Sequence, residues 1–346
     1  MFPLWSLALG FLIGAAIGSF LNVVIYRLPR GMSLAQPPSH CPNCSHRLGP
    51  ADLFPIFSFL LSGAKCRHCK TPISWRYFWV EVLTGSLWAG LWVQLLVNGW
   101  NPALFVALAL FASALVAAIF IDLFHFIIPD SLNAFLLFVG LGYNVWQILS
   151  GSSGAWINVG GVNIPGSIVG ALVGVGVLWG IALFGRVLLG QDAMGHGDIK
   201  LARGIGAVLL PQGALMSFGV AIAAGAFFGG IAFLINRQKA GSEEKTKVEG
   251  EGELGLEEPE SVGSLVKCGL GYALAIDVLG LFSPKIEQKW FGDTPQSEES
   301  EEDDWQPGIT TIPFGPSLAL GALVVCFFES PLRHWVGVYW KWATGG

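Results

Sequence analysis

Gly195-His196-Gly197-Asp198-Ile199-Lys200 lies between two apolar segments, one ending near Leu189 and the next beginning at Ile199. The run therefore holds a carboxylate at the edge of an apolar layer, where an ionisable group is costly and marks a functional site. Its two glycines carry no Cβ, so the backbone can turn tightly and bring Asp198 against another segment. Alone, a Gly-x-Gly-Asp run also fits a plain helix connection in which Asp198 caps the next helix. A second carboxylate at the same depth separates these readings.

The rest of the 346 residues sets the layer. They are 53% hydrophobic and only 12% charged, with 14 tryptophans and a mean hydropathy of +0.60. That composition excludes an ordinary soluble domain and gives no sign of a nucleic-acid partner. The expected fold is all-α: a polytopic membrane protein with about eight transmembrane helices of roughly 20 residues each, plus a small cytoplasmic zinc-knuckle loop.

Toward the N-terminus of the central run, spans are expected at 166–189, from Pro129 to about Leu149, and at 103–121. Gly170, Gly174, Gly176 and Gly180 suit the first of these to close helix packing. Pro129-Asp130-Ser131 reads as a helix start with Asp130 as its N-cap. Between two of the spans, residues 150–165 read as an uncharged outer loop rich in Gly, Ser and Asn. The span at 103–121 ends in Ile121-Asp122-Leu123. Two spans separate Asp122 from Asp198, so both carboxylates face the same side at similar depth. Held close, two carboxylates cannot both ionise easily, which supplies an acid and a base for attack on a peptide carbonyl.

Further back, a span at 78–97 carries Glu81 near its start. The loop before it, 27–76, holds seven basic residues (Arg27, Arg30, Arg47, Lys65, Arg67, Lys70, Arg76) against the single acid Asp52. That imbalance makes it cytoplasmic. Within it, Cys41-Pro42-Asn43-Cys44 and Cys66-Arg67-His68-Cys69 form two CxxC knuckles, a pairing that suits tetrahedral Zn²⁺. Disulfides or idle thiols are the alternative, and His40, His46 and His68 are near enough to serve as alternative ligands but read better as plain loop residues. Residues 2–26 follow no basic n-region and read as a retained first span with its N-terminus outside.

In the other direction, Ile199–Leu210 reads as a short helix broken at Pro211, followed by a longer span at 213–235. Residues 238–310 carry 17 acidic and 6 basic residues. Their acidic flanks, 241–260 and 293–304, read as solvated linkers around an apolar island, Val262 to Phe282. Because Lys267 and Asp277 interrupt that island, it reads as a packing or interfacial helix and not a further span. A final span, 312–328, leaves an aromatic tail with Trp335, Tyr339, Trp340 and Trp342. The domains are thus 1–26, a first transmembrane helix; 27–77, the four-cysteine loop; 78–236, the membrane core; 237–310, an acidic cytoplasmic insertion; and 311–346, the last helix and tail.

Several runs together resemble one family: Gly18-Ser19-Phe20-Leu21-Asn22-Val23-Val24-Ile25-Tyr26-Arg27-Leu28-Pro29, the double CxxC loop, Arg76-Tyr77 with Val80-Glu81 and Thr84-Gly85, Ile121-Asp122 with Ile128-Pro129-Asp130, Gly195 to Leu201, and Pro313-Phe314-Gly315-Pro316. In order, they look like bacterial prepilin peptidases, the type IV leader peptidases of the GxGD aspartic protease class. The resemblance implies a bacterial inner-membrane endopeptidase that cuts the basic leader from type IV prepilins or pseudopilins, after a glycine, on the cytoplasmic side; such substrates serve type IV pili and type II secretion. It implies Asp122 and Asp198 as the catalytic pair, with Gly195, Gly197 and Lys200 in the supporting loop. It further implies Zn²⁺ on Cys41, Cys44, Cys66 and Cys69, and N-methylation of the new terminus from S-adenosylmethionine, with Glu81 on the methyltransferase side. Asp52-Leu53-Phe54-Pro55, Phe78 and the long 238–310 insertion depart from the family's usual pattern.

The competing expectation is a proton- or cation-coupled transporter that uses Asp122 and Asp198 as relay groups. It predicts an inverted repeat with broken helices in both halves, and the sequence displays no such symmetry.

Overall fold

A computed structural model describes residues 4–99, 101–190, 194–240, 261–291 and 313–344. In chain order the helices are α1 (Leu4–Arg27), α2 (Phe57–Leu61), α3 (Trp75–Asn98), α4 (Pro102–His125) and α5 (Asp130–Leu149). A hairpin of β1 (Trp156–Val159) and β2 (Val162–Pro165) precedes α6 (Gly166–Leu189) and α7 (His196–Ala240). Then follow α8 (Val262–Ala273), α9 (Ile276–Gly280), α10 (Pro284–Phe291) and α11 (Gly315–Thr344).

Local chemistry sets these boundaries. Ser74 and Asn101 cap α3 and α4 by accepting the Arg76 and Leu104 N–H groups at 3.3 and 3.1 Å, and Pro102 occupies the first turn of α4. Phe126 ends α4 in a left-handed conformation (φ 55°), its N–H bonded to the Asp122 carbonyl at 3.0 Å. Leu210, ahead of Pro211, leaves the helical region (φ 61°, ψ 172°), because proline crowds the residue before it out of the α conformation. α7 is therefore two helices meeting at the break the sequence predicts.

Among the described residues six helices are long and apolar enough to cross a membrane: α1, α3, α4, α5, α6 and α7. The eight spans expected from the sequence would need the break at Leu210 to divide α7 in two and the shorter apolar helix Gly315–Glu329 to cross as well. α4 is the hub, with 67% of its apolar window buried against 22% for α7. Phe111, Leu115, Val116 and Ile121 of α4 meet Leu91 of α3, Ile199, Leu201 and Ile205 of α7, and Leu318 of α11 in one core. α6 and α7 approach so closely that a Cβ on Gly170 or Gly174 would overlap the carbonyls of Gly206 or Ala202. Gly176 and Gly180, expected to share that role, face open space.

Two expectations change. Residues 150–165 hold a hairpin, turned by Gly160 and Gly161 at φ 59° and 89°, both in the left-handed half where glycine has no steric penalty. The 262–282 island is two helices, interrupted where Ala275 turns left-handed (φ 54°). Lys267 lies on the exposed face of α8, and Asp277, just after the break, is buried. The acidic flanks 241–260 and 293–304 lie outside the described residues, as do the side chains of Trp335, Tyr339, Trp340 and Trp342.

Candidate active site

Asp122 projects from the last turn of α4 and Asp198 from the first turn of α7, the two helix ends that the parity argument places on one side. Asp122 is only 6% exposed, and Asp198 is half-buried. The two carboxylates lie within electrostatic reach of one another. Ile128, in the turn after α4, packs toward both Gly197 and Gly315 and so closes one side of the pair. At Gly315, the first residue of α11, a Cβ would overlap Asp122 Oδ2. Glycine gives the space, since the acid lies where a side chain would be, and the Gly315 backbone N–H bonds the Asp122 carboxylate.

Gly195 and Gly197 differ from Gly315. Neither is among the glycines with positive φ, and a Cβ would make ordinary contacts there, 3.4 Å from Asp198 Oδ2 and 3.4 Å from Ile128 Cβ respectively.

Lys200 does not reach the dyad. Its Nζ donates to both Asp130 carboxylate oxygens, at 2.7 and 2.8 Å, tying α7 to α5. Asp130 is correspondingly not an N-cap. Pro129 occupies the cap position, which puts Asp130 in the first turn, where its carboxylate pairs with the Lys200 ammonium. His125 Nε2 meets Arg30 Nη1 at 3.2 Å, and His196 Nδ1 meets the Tyr272 hydroxyl at 2.9 Å.

The four knuckle cysteines converge, with all four Sγ atoms within 4.8 Å of one another. Both knuckles fold alike. Cys41 N bonds His46 O and Cys66 N bonds Thr71 O, while Ser45 and Lys70, each just after a second cysteine, turn left-handed to bond back to Cys41 O and Cys66 O. Bonds from the Thr71 side chain and backbone and from the Asn43 amide hold the Cys69 thiol down at about 5, the thiolate form that metals bind. At Cys44 a backbone bond to His46 also favours the thiolate, but burial and the bonds to Cys41, Cys69 and Cys66 outweigh it and push it up to about 11. Cys44 and Cys69 thus hold negative charge unequally, and a divalent cation would favour the thiolate at both. His46 and His68 stack on each other with centroids 3.5 Å apart and stand outside the sulfur cluster.

Between the knuckle loop and the ends of α1 and α3 lies a cavity of about 580 Å³ lined by Asn22, Arg30, Asp52, Arg76, Tyr77 and Glu81, among others. Glu81, 8% exposed, accepts the Ile56 N–H at 2.6 Å and so holds a β-branched residue in a left-handed conformation (φ 64°). Asn22 Nδ2 donates to Tyr77 O at 3.1 Å, whereas its Oδ1 and Arg76 Nε are buried with no partner among the described residues.

Reading the residues in order misses Gly315, Tyr272, Arg203 and Asp277 as parts of this region. Only the proline- and glycine-rich run 313–316 carries a signal in the sequence, and it belongs to the resemblance.

A model of the bacterial peptidase A24 N-terminal domain matches residues 12–95, and one of the type IV leader peptidase family matches residues 109–230. Proteins named prepilin leader peptidase/N-methyltransferase are similar over much of their length. That of Myxococcus xanthus (strain DK1622) is 34% identical over 324 residues, covering 93% of this chain and 89% of the relative. The Aeromonas hydrophila protein is 33% identical, covering 69% and 85%, and that of Burkholderia pseudomallei (strain 1026b) is 33% identical, covering 66% and 76%. No solved structure matches the chain.

Proposed function

The chain belongs to the type IV leader peptidase family, and on that footing we propose that it removes the leader peptide from type IV prepilins or pseudopilins and N-methylates the N-terminus so formed. The observation that carries the peptidase half is that the Asp122 and Asp198 carboxylates lie within electrostatic reach of one another, with Asp122 against Gly315. One carboxyl carries a proton and the other is ionised. The ionised partner takes a proton from water, whose oxygen attacks the scissile carbonyl carbon while the protonated partner donates to the carbonyl oxygen. Collapse of the tetrahedral species breaks the C–N bond as a proton passes to the leaving amine. Gly195 and Gly197 belong to the loop that presents Asp198, and Lys200 acts through Asp130 by fixing α5 against α7.

In this reading 78–236 is the peptidase core, 27–77 a four-cysteine domain and 237–310 an insertion whose helices α8 and α9 dock on the core. Cys41, Cys44, Cys66 and Cys69 hold Zn²⁺ in a structural role. The fit is supported by their mutual distances and by Cys69's lowered thiol. The cavity beside them suits S-adenosylmethionine, which supplies the methyl group: its volume is in the range of small-molecule sites, and the unpartnered Asn22 Oδ1 and Arg76 Nε border it. Glu81 would set a negative charge facing a cationic sulfonium. The basic excess of residues 27–76 supports a cytoplasmic-side active site in the bacterial inner membrane.

Purified full-length enzyme, given a prepilin peptide (basic leader, glycine, then an apolar helix beginning with phenylalanine) and S-adenosylmethionine, tests this by mass spectrometry. The expected products are free leader and a methylated mature peptide. A peptide that stays intact with several such leaders would return the dyad to ion transport.

A further inference from the structure

Three residues on the first two turns of α7, His196, Lys200 and Arg203, stand at positions i, i+4 and i+7. At about 100° per residue they share one helix face, and Asp198 points away from it, about 140–160° round the axis. That shared face is gripped from the insertion. The Tyr272 hydroxyl lies 2.9 Å from His196 Nδ1, and the Tyr272 ring lies 5.1 Å from Lys200 Nζ. Arg203 donates to both carboxylate oxygens of Asp277, at 2.6 and 2.7 Å, and to the Tyr272 carbonyl at 2.9 Å. Arg203 and Asp277 are 1% and 5% exposed. The insertion is itself held against α6, where Trp179 Nε1 donates to Leu265 O at 3.0 Å and lies where a Gly269 Cβ would be.

From this arrangement we propose that the α8–α9 pair is a clamp that sets the rotation of α7 about its axis, and that Tyr272, Arg203 and Asp277 are positioning residues for peptide cleavage. The proposal rests on the assignment of Asp198 as a catalytic acid. A helix rotated by a few tens of degrees carries its carboxylate through more than an ångström, enough to cost a dyad its alignment. A bidentate guanidinium–carboxylate pair resists such rotation because both its bonds lengthen together. Nothing in the clamp reaches the cavity beside Glu81, so methyl transfer should not depend on it.

The test uses full-length enzyme with two substrates: a prepilin peptide for cleavage, and its already cleaved form for methyl transfer. Tyr272→Phe removes only the hydroxyl, and Asp277→Asn removes one half of the buried pair. Each is expected to lower the cleavage kcat about tenfold with KM unchanged, methyl transfer unaffected, and Asp277→Glu partly restoring kcat. Cleavage at the wild-type rate in Tyr272→Phe and Asp277→Asn overturns the clamp, as does a parallel fall in both activities, which marks general loss of structure. If Asp277→Asn fails to fold, Tyr272→Phe alone decides. Asp198→Asn is run alongside. Its inactivity means that a negative result counts against the clamp alone, whereas wild-type cleavage by Asp198→Asn sinks the dyad and the clamp with it.

Discussion

The Cα of Gly315 lies so close to Oδ2 of Asp122 that any Cβ at this position would occupy the space of the carboxylate oxygen. The start of α11 thus forms one wall of the acid, although the two residues are almost 200 positions apart in the chain. Gly315→Ala is therefore expected to lower leader cleavage about a hundredfold with little effect on helix content or on methyl transfer. Cleavage within threefold of wild type, read from initial rates on a prepilin peptide, would mean that the wall is not part of the site.

The Lys200–Asp130 pair has a structural reading that can be separated from a catalytic one. Both side chains are partly accessible, 14% and 32% exposed, so their coupling should be about 1 kcal/mol or less. Lys200→Met and Asp130→Asn are expected to shift thermal stability slightly, with a small coupling in the double mutant, and to leave kcat within about threefold. A loss of several hundredfold on Lys200→Met alone would return the lysine to the dyad.

Substituting the cysteines should separate the two activities. Cys44→Ser or Cys69→Ser is expected to drop bound zinc from one ion per chain toward none, measured by plasma emission spectroscopy on purified protein. Methyl transfer should fall at least tenfold as the knuckles and the cavity they border lose their shape, while leader cleavage survives. Equal loss of both activities would contradict the division.

Glu81 offers a finer version of that division. Glutamine at this position can still accept the Ile56 N–H, so the loop conformation persists while the negative charge is gone. Glu81→Gln should weaken S-adenosylmethionine binding about tenfold by calorimetry and leave cleavage intact, whereas Glu81→Ala should also release Ile56 and disturb the loop. Unchanged affinity in Glu81→Gln would leave Glu81 with the loop-holding role alone.

The membrane helices are legible in the sequence because long apolar runs are bounded by Pro, Gly and basic residues, and the hydropathy that drives them inward is a local property. Depth is legible as well: counting spans puts Asp122 and Asp198 on one side without any coordinate. The four-cysteine loop is readable for the same reason, since each knuckle closes on itself within a few residues. Contacts fixed by distant residues are not. Arg203 finds Asp277 across 74 positions, and neither charge advertises its partner, so Asp277 reads in sequence as a mark of an interfacial helix. Lys200 and Asp130, 70 apart, each have a plausible local role, in the supporting loop or as a cap, and only the fold reveals their pairing. The hairpin is within reach, because Gly160-Gly161 between Trp156-Ile157 and Val162 is a turn signal between strand formers. Its shortness and the polar residues around it favour a loop instead.

The most direct measurement of the central claim is leader cleavage by Asp122→Asn and Asp198→Asn, each purified as the full chain and checked for retained helix content, zinc and methyl transfer to a pre-cleaved peptide. Asparagine keeps size and shape but can neither ionise nor donate an acidic proton. Both variants are expected to lose cleavage by at least about three orders of magnitude while still methylating, as removal of either member disables an acid/base pair. Wild-type cleavage by either variant would contradict the account at its root.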